Sequence, residues 1–456
     1  MRNHEFYNKS LVNISFTKIL ICIIAGLLAG LSPYLFITFD PKFLWFTLFL
    51  ISVFGVFLFG CITGLKTKGF LDFMSPYILF PIMYLVIYGP GIHKALTLSE
   101  QQGKSALFYA SIAFISYLAG ALTFSSVFLN ADKREIKSIT INDKVYKRLI
   151  KYPLIIGLVS MLAFWAKAGT IPALMGDLEN SRVGALSGNG LFYYFSMSIM
   201  ISVWVYFSRS NKFLKSFAFL LFGCLMLAST GWRNTSIALI FVSLTIFHYK
   251  KPIKLSRLII AGIVIIVLIA VSGLFRIASS DLTGYKLMGM MESGNYVGAF
   301  FSYLYNYPVV FTDNLMLVIN HFSDSASLLH GKSLFWNFGI LMPGSSYPAF
   351  DFYLKDLLRV GFAGGGLPPT IIGDLYLNFG LIGIIFGMMI VGGLWSFLYY
   401  KLLNNKDNLI GVASVIVLYY LSVSIRGGLE NITLTTTWLL IILIVYRIIS
   451  KFKVVK

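Results

Sequence analysis

Twelve apolar runs follow one another through this 456-residue chain, each close to the roughly 20 residues that carry a helix across a bilayer. They occupy 19–39, 43–65, 73–89, 105–130, 149–166, 191–207, 213–230, 234–249, 258–274, 375–400, 408–425 and 432–446. The third is short and carries Pro76 and Pro81, which also suits a re-entrant segment. Inside hydrocarbon every backbone polar group must be bonded within the protein, which leaves helices or a closed barrel. Runs this long, without alternation, predict helices. The expected fold is therefore an all-α polytopic integral membrane protein with about twelve transmembrane helices, a single membrane domain over 1–456. Composition agrees. Only 12% of residues are charged and 57% are apolar, against about 25% charged in a soluble domain. Mean hydropathy is +0.80, which excludes disorder.

A net charge of +19 would ordinarily point to nucleic acid. Its distribution points elsewhere. With the N-terminus inside, the cytoplasmic loops hold 25 of the 37 Lys and Arg and only 6 of the 18 acids. The outer side then sums to zero. This is the positive-inside pattern, with both termini cytoplasmic and the richest inner loop at 133–151. The basic face meets anionic lipid, and no nucleic-acid partner is expected. The first run has a polar lead and no small-residue cleavage site, so it reads as a retained helix. Cys22, Cys61 and Cys224 lie in apolar stretches and suggest neither disulfides nor a metal.

Two outer segments exceed ordinary connectors, 167–190 and 275–372. The second contains YVGAFFSYLYNYPVVF from Tyr296. It either lies in the interface as an amphipathic helix or dips into the membrane with LFWNFGILMPG, giving fourteen spans. The spans carry almost no ionisable residue at mid-depth, which disfavours an ion-coupled transporter and moves attention to these loops.

There the basic residues change character. The inner loops hold 19 Lys and 6 Arg; the outer side holds 7 Lys and 5 Arg, namely Arg182, Arg233, Arg276, Arg359 and Arg426. Arginine grips phosphate bidentately and keeps its proton. Arginines at outer helix ends suit a lipid pyrophosphate at headgroup depth; each could instead snorkel or pair with Asp177, Glu179, Asp356 or Glu430. Glycine-rich segments accompany three of them: SRVGALSGNGLFYY, LRVGFAGGGLPP and SIRGGLEN. These either let backbone approach a ligand or simply loosen the loop. Asp374, in TIIGDLYLNFG after Pro368 and Pro369, would sit at the outer end of a helix. It is the first candidate for a base or an acceptor-orienting group, with Glu430 its rival; a helix-dipole role without chemistry stays open. Tyr303, Tyr305, Tyr307, Trp336 and Tyr347 could stack on sugars. Gly383 and Gly387 have the spacing of helix packing, as do Gly26 with Gly30 and Gly60 with Gly64. No metal-ligand spacing is present, and no cofactor is expected.

Four segments resemble one family: GTIPALMGDLENSRVGALSGNGLFYY, TIIGDLYLNFGLIGIIFGMMIVGG, SPYILFPIMYLVIYGPG and SIRGGLEN are similar to bacterial oligosaccharide repeat-unit polymerases, the Wzy family of O-antigen and capsule assembly. The resemblance implies a GT-C-like fold in the bacterial inner membrane with an active site on the periplasmic face. It implies a glycosyltransferase that uses no nucleotide sugar and polymerises undecaprenyl-pyrophosphate-linked repeat units. Its partners would be lipid-linked donor and acceptor glycans and membrane lipid, with a chain-length regulator as a further candidate. On this reading Asp374, Arg182 and Arg359 act in catalysis, and Arg276, Arg426, Glu430 and Arg233 bind substrate. The runners-up are an O-antigen ligase, whose family places His-Asn where this chain has Asp374 and Leu375, and a lipid-linked sugar flippase.

Overall fold

The computed structural model describes residues 42–68, 71–131, 143–175, 178–210, 212–278, 285–342, 347–361, 365–405 and 408–452. The expected span 19–39, and with it Gly26 and Gly30, lies outside them. Every regular element among the described residues is a helix. In chain order these are α1 (Lys42–Lys68), α2 (Leu79–Leu98), α3 (Glu100–Ala131), α4 (Asp143–Ala168), α5 (Leu178–Leu186), α6 (Gly190–Ser196), α7 (Ser198–Arg209), α8 (Phe213–Ala228) and α9 (Arg233–Lys250). There follow α10 (Leu255–Ala278), α11 (Tyr285–Glu292), α12 (Tyr296–His321), α13 (Lys332–Trp336), α14 (Phe350–Leu357), α15 (Thr370–Asn404), α16 (Leu409–Gly427) and α17 (Glu430–Phe452).

Seven helical stretches among the described residues are long and apolar enough to cross a membrane: α1, α2, α3, α4, the α6–α7 run, α15 and α16. Shorter apolar stretches lie in α8, α10 and α17. The structure thus supports a helical membrane protein with seven candidate spans among the described residues. The segment expected at 73–89 is displaced. Residues 73–78 form turns around Pro76, and α2 starts at Leu79 and continues through Pro90 to Leu98.

The bundle closes around α3 and α15, where small residues let backbones meet. A Cβ on Gly120 would fall 1.9 Å from the Met389 carbonyl oxygen, and one on Gly392 would fall 2.0 Å from that of Tyr117. Phe80 stacks on Tyr117 at 3.6 Å. Buried tyrosines place their hydroxyls on backbone carbonyls, Tyr84 on Ala110 at 2.6 Å and Tyr88 on Ile425 at 3.1 Å. These bonds satisfy polar atoms that an apolar setting would otherwise leave costly.

One end of the bundle is tied by Asp72, a residue that no motif marks in the sequence. It is buried and accepts hydrogen bonds from the Tyr249 and Tyr399 hydroxyls, joining the turn before α2 to the ends of α9 and α15. Beside it, Ile253 N–H donates to His248 Nδ1 at 3.1 Å. The proton of His248 therefore sits on Nε2, which donates to the Leu71 carbonyl at 2.9 Å.

The helix α15 is broken. Gly380 has φ 64° and ψ −152°, a region open to glycine alone. Residues 370–379 consequently fold back on residues 381–387. The Gly383 and Gly387 pair does not mark a helix partner: added Cβ atoms would meet the chain's own Leu375, at 2.3 Å from its carbonyl oxygen and 2.4 Å from its side chain. Gly380→Ala is expected to lower stability by about 1–3 kcal/mol. Thermal unfolding in nanodiscs checks it, and an unchanged midpoint would mean that the break is not needed.

The long α12 crosses the opposite end of the bundle from Asp72. Tyr303 packs on Gly273 of α10, Tyr307 reaches Arg426 of α16, Thr312 packs on Gly91 of α2, and Leu315 and Val318 pack on Gly373 of α15. Its start is capped by the Asn295 side chain, which accepts from Gly298 N–H at 2.9 Å.

Candidate active site

Two polar constellations stand at the end of the bundle that α12 crosses, joined by the turn between α16 and α17. The first is built of arginines. Arg426 ends α16 and donates from Nη1 to Tyr307 Oη at 2.7 Å and from Nη2 to Asn234 Oδ1 at 3.1 Å. Both partners are neutral, so the guanidinium is oriented without being neutralised and keeps further N–H donors. Asn234 is preceded by Arg233 and Trp232 at the start of α9. Arg182, on α5, lies over the Trp232 ring with Cζ 4.3 Å from its centroid, a cation–π contact. Gly231 makes this approach possible. It has φ 82°, and a Cβ there would come within 3.2 Å of Arg182 Cβ.

Arg182, Arg233 and Arg426 are thus gathered about one turn, residues 231–234. The remaining two expectations fare differently. Arg276 lies in the last turn of α10, and its side chain falls outside the described residues. Arg359 follows α14 in a left-handed conformation, φ 53°, with its N–H on the Asp356 carbonyl at 3.1 Å and its side chain exposed. The structure does not bring it into contact with the other three.

The second constellation is a carboxyl knot. Asp374 has no exposed surface. Its Oδ1 accepts from Ser333 Oγ at 2.5 Å and from Asn378 Nδ2 at 3.2 Å, and its Oδ2 accepts from Leu429 N–H at 2.7 Å. Asn378 Nδ2 also donates to Ser333 Oγ at 2.6 Å, while Gly331 N–H donates to Asn378 Oδ1 at 2.8 Å. Leu329 and His330 N–H groups bond the Leu377 and Asn378 carbonyls at 2.9 and 3.1 Å. The Thr433 hydroxyl donates to the Leu334 carbonyl. Three segments that are distant in sequence, around residues 331, 374 and 429–433, are locked here.

Glu430, also fully buried, adjoins Asp374 at the start of α17. Burial first, then the Asp374 and Asp351 carboxylates, push its carboxyl well above the usual range. Burial thus favours the protonated form of Glu430, which shares a hydrogen bond with Asp374. Only glycine fits the connecting turn at Gly428, φ 88°: a Cβ would stand 2.1 Å from Glu430 Oε2 and 2.9 Å from Pro369. Gly428 of SIRGGLEN thus serves a tight approach to a carboxyl rather than an open loop.

Asp374 lies in the second turn of its helix, so the simple first-turn dipole account does not describe it. Asn378 was not singled out in the sequence, although its i+4 spacing from Asp374 puts the two on one helix face and could have pointed to it. Ser333, 41 residues away, carried no local signal. Among the aromatic candidates, Tyr303 stacks on Tyr307 at 5.4 Å, and Trp336 stacks on Tyr353 at 4.2 Å beside Tyr347. Tyr305 hydrogen-bonds His93 Nδ1 at 3.2 Å.

A family model described as "Putative O-antigen polymerase" matches residues 72–291 and 360–439, on both sides of the large loop. The chain belongs to the O-antigen polymerase family. Membership makes it a multi-pass protein of the bacterial inner membrane with a polymerase role in polysaccharide synthesis and glycosyltransferase-like activity. Lipid-linked oligosaccharides are the substrates this family implies. Comparison with curated proteins and with solved structures returned no match. The O-antigen polymerase match contains Arg182, Arg233, Arg276, Asp374, Arg426 and Glu430; Tyr307, Ser333 and Arg359 fall in the stretch between its two parts.

Proposed function

We propose that the protein polymerises undecaprenyl-pyrophosphate-linked repeat units by transferring the nascent glycan to the non-reducing end of a new lipid-linked unit. The observation that carries this reading is the gathering of Arg182 and Arg426 about residues 231–234, with Arg426 held by neutral partners, in a chain of the polymerase family. The acceptor hydroxyl attacks the anomeric carbon of the donor, and the bond from that carbon to the pyrophosphate oxygen breaks. Negative charge grows on the departing pyrophosphate, where Arg426, Arg182 and Arg233 stabilise it. The hydroxyl proton passes to the pyrophosphate oxygen as it becomes basic. Asp374 is the positioning residue: it grips Leu429 N–H, three residues after Arg426, and so fixes the turn that aims the guanidinium.

The finer topology belongs to the same proposal: about twelve spans, both termini cytoplasmic, a GT-C-like arrangement and the arginine end facing outward. The charge distribution supports it. A cysteine introduced near Gly188 should react with an impermeant reagent from the outer side; reaction from the cytoplasmic side alone would overturn the orientation. The function itself is tested by the glycan profile of a deletion strain. Polymerase loss collapses the ladder to a single repeat unit, whereas free polymer retained on the lipid carrier would identify a ligase. A chain-length regulator would act on the ladder's distribution, not on its existence.

A further inference from the structure

We infer that the hydroxyls of Tyr193, Tyr419 and Tyr420 read the sugar joined directly to the pyrophosphate, and so decide which lipid-linked unit serves as donor. This rests on the proposed pyrophosphate site at Arg182 and Arg426. Elsewhere in the bundle, buried tyrosines direct their hydroxyls to protein acceptors: Tyr84 to the Ala110 carbonyl, Tyr88 to that of Ile425, Tyr117 to that of Pro76 at 2.9 Å, and Tyr249 to Asp72. A buried polar atom ordinarily has such a partner. Tyr193, Tyr419 and Tyr420 break the pattern. They are 6%, 6% and 9% exposed. Among the described residues, no group donates to their hydroxyls or accepts from them.

The three hydroxyls gather at one place. Tyr193 stands in the first turn of α6, and Tyr419 and Tyr420 are neighbours in α16. The Tyr420 hydroxyl lies within electrostatic reach of those of Tyr193 and Tyr419. The group adjoins both guanidiniums. The Tyr193 ring is 6.1 Å from the Trp232 ring that Arg182 covers. Tyr419 precedes Arg426 in α16 by about 10 Å along the helix axis and lies within reach of its charge. Each tyrosine hydroxyl can both donate and accept, and none carries charge. Three of them on two helices suit a neutral ligand that presents several hydroxyls, while the rings that carry them cover its apolar faces. One bond from the pyrophosphate stands the sugar whose anomeric carbon reacts. A pyrophosphate on Arg182 and Arg426 brings that sugar, rather than a later one in the glycan, against the tyrosines.

The test measures binding of two probes to the full-length protein in nanodiscs. One is a polyprenyl pyrophosphate; the other is the same lipid carrying only the first sugar of the repeat unit, obtained by trimming the units that accumulate in a deletion strain. Wild type should bind the sugar-bearing probe about thirtyfold more tightly, about threefold for each of three hydrogen bonds. Tyr193→Phe, Tyr419→Phe and Tyr420→Phe each remove one oxygen and break no hydrogen bond within the protein, so membrane abundance should match wild type. Each variant should bind the bare lipid as wild type does and lose about threefold of the gain from the sugar. The triple variant should lose nearly all of it, and if it fails to accumulate the single variants decide. A gain undiminished in the variants would mean that the hydroxyls hold water only and would overturn the inference. So would equal binding of the two probes by wild type. If wild type binds neither probe and elongates no lipid-linked unit, the proposed function falls as well; elongation by wild type with an undiminished gain in the variants removes this inference alone.

Discussion

Arg426→Lys is expected to cut polymer formation about a hundredfold while the protein accumulates normally in the membrane. Lysine retains the charge but is a point donor, and it cannot keep one edge on Tyr307 and Asn234 while presenting another to pyrophosphate. Losing one such contact with developing charge costs roughly 3 kcal/mol. The loss should appear in kcat, because the interaction strengthens as the bond to pyrophosphate breaks. Arg182→Lys should behave similarly but more mildly. Its stacking on Trp232 is retained in part by an ammonium, so the expected effect is about tenfold. Arg359→Lys, at an exposed position outside this group, provides the comparison and should change little. Polymer of wild-type length and amount in the Arg426→Lys strain would show that the guanidinium only anchors the helix end. Membrane abundance measured in parallel separates a catalytic loss from misfolding.

Asp374→Asn is expected to destabilise the protein by about 3 kcal/mol and to abolish polymer. The reason is a count of donors. Ser333 and Asn378 donate to one carboxylate oxygen, and Leu429 N–H donates to the other. Asparagine has one acceptor oxygen, so in this fully buried site its NH₂ must face a donor. Glu430→Gln is the informative contrast. A protonated carboxyl and an amide both donate a hydrogen, so this variant should stay within about 1 kcal/mol of wild type. The pair also separates by pH. Glu430 has a folded-state pKa raised by burial and by Asp374 and Asp351. It binds its proton more tightly folded than unfolded, so its contribution is complete below the unfolded value of about 4.3 and declines as pH rises toward the folded one. Glu430→Gln should remove that decline. Thermal unfolding across pH in nanodiscs reads both effects, and equal damage from Asp374→Asn and Glu430→Gln would contradict the proton assignment.

The class of protein was legible in the chain itself. Apolar runs and the sorting of charge are local properties, written residue by residue, and a bilayer imposes helices on them without reference to distant partners. Described segments such as 105–130, 149–166, 375–400 and 408–425 accordingly lie within α3, α4, α15 and α16 or begin one residue before them. The five arginines were singled out by their expected position on the outer side, and three of them, Arg182, Arg233 and Arg426, gather about residues 231–234. Which of them come together was not legible, because the contacts of Arg182 with Trp232 and of Arg426 with Asn234 depend on how α5, α9 and α16 pack. Packing also made Asp374 buried rather than exposed at a helix end, since its partners Ser333 and Leu429 lie 41 and 55 residues away. It turned Gly383 and Gly387 toward their own Leu375, because the break at Gly380 folds the helix on itself. Hydrophobic periodicity records which residues leave water; it carries no record of which partner a buried polar group finds, and in this protein those partners hold the candidate site together.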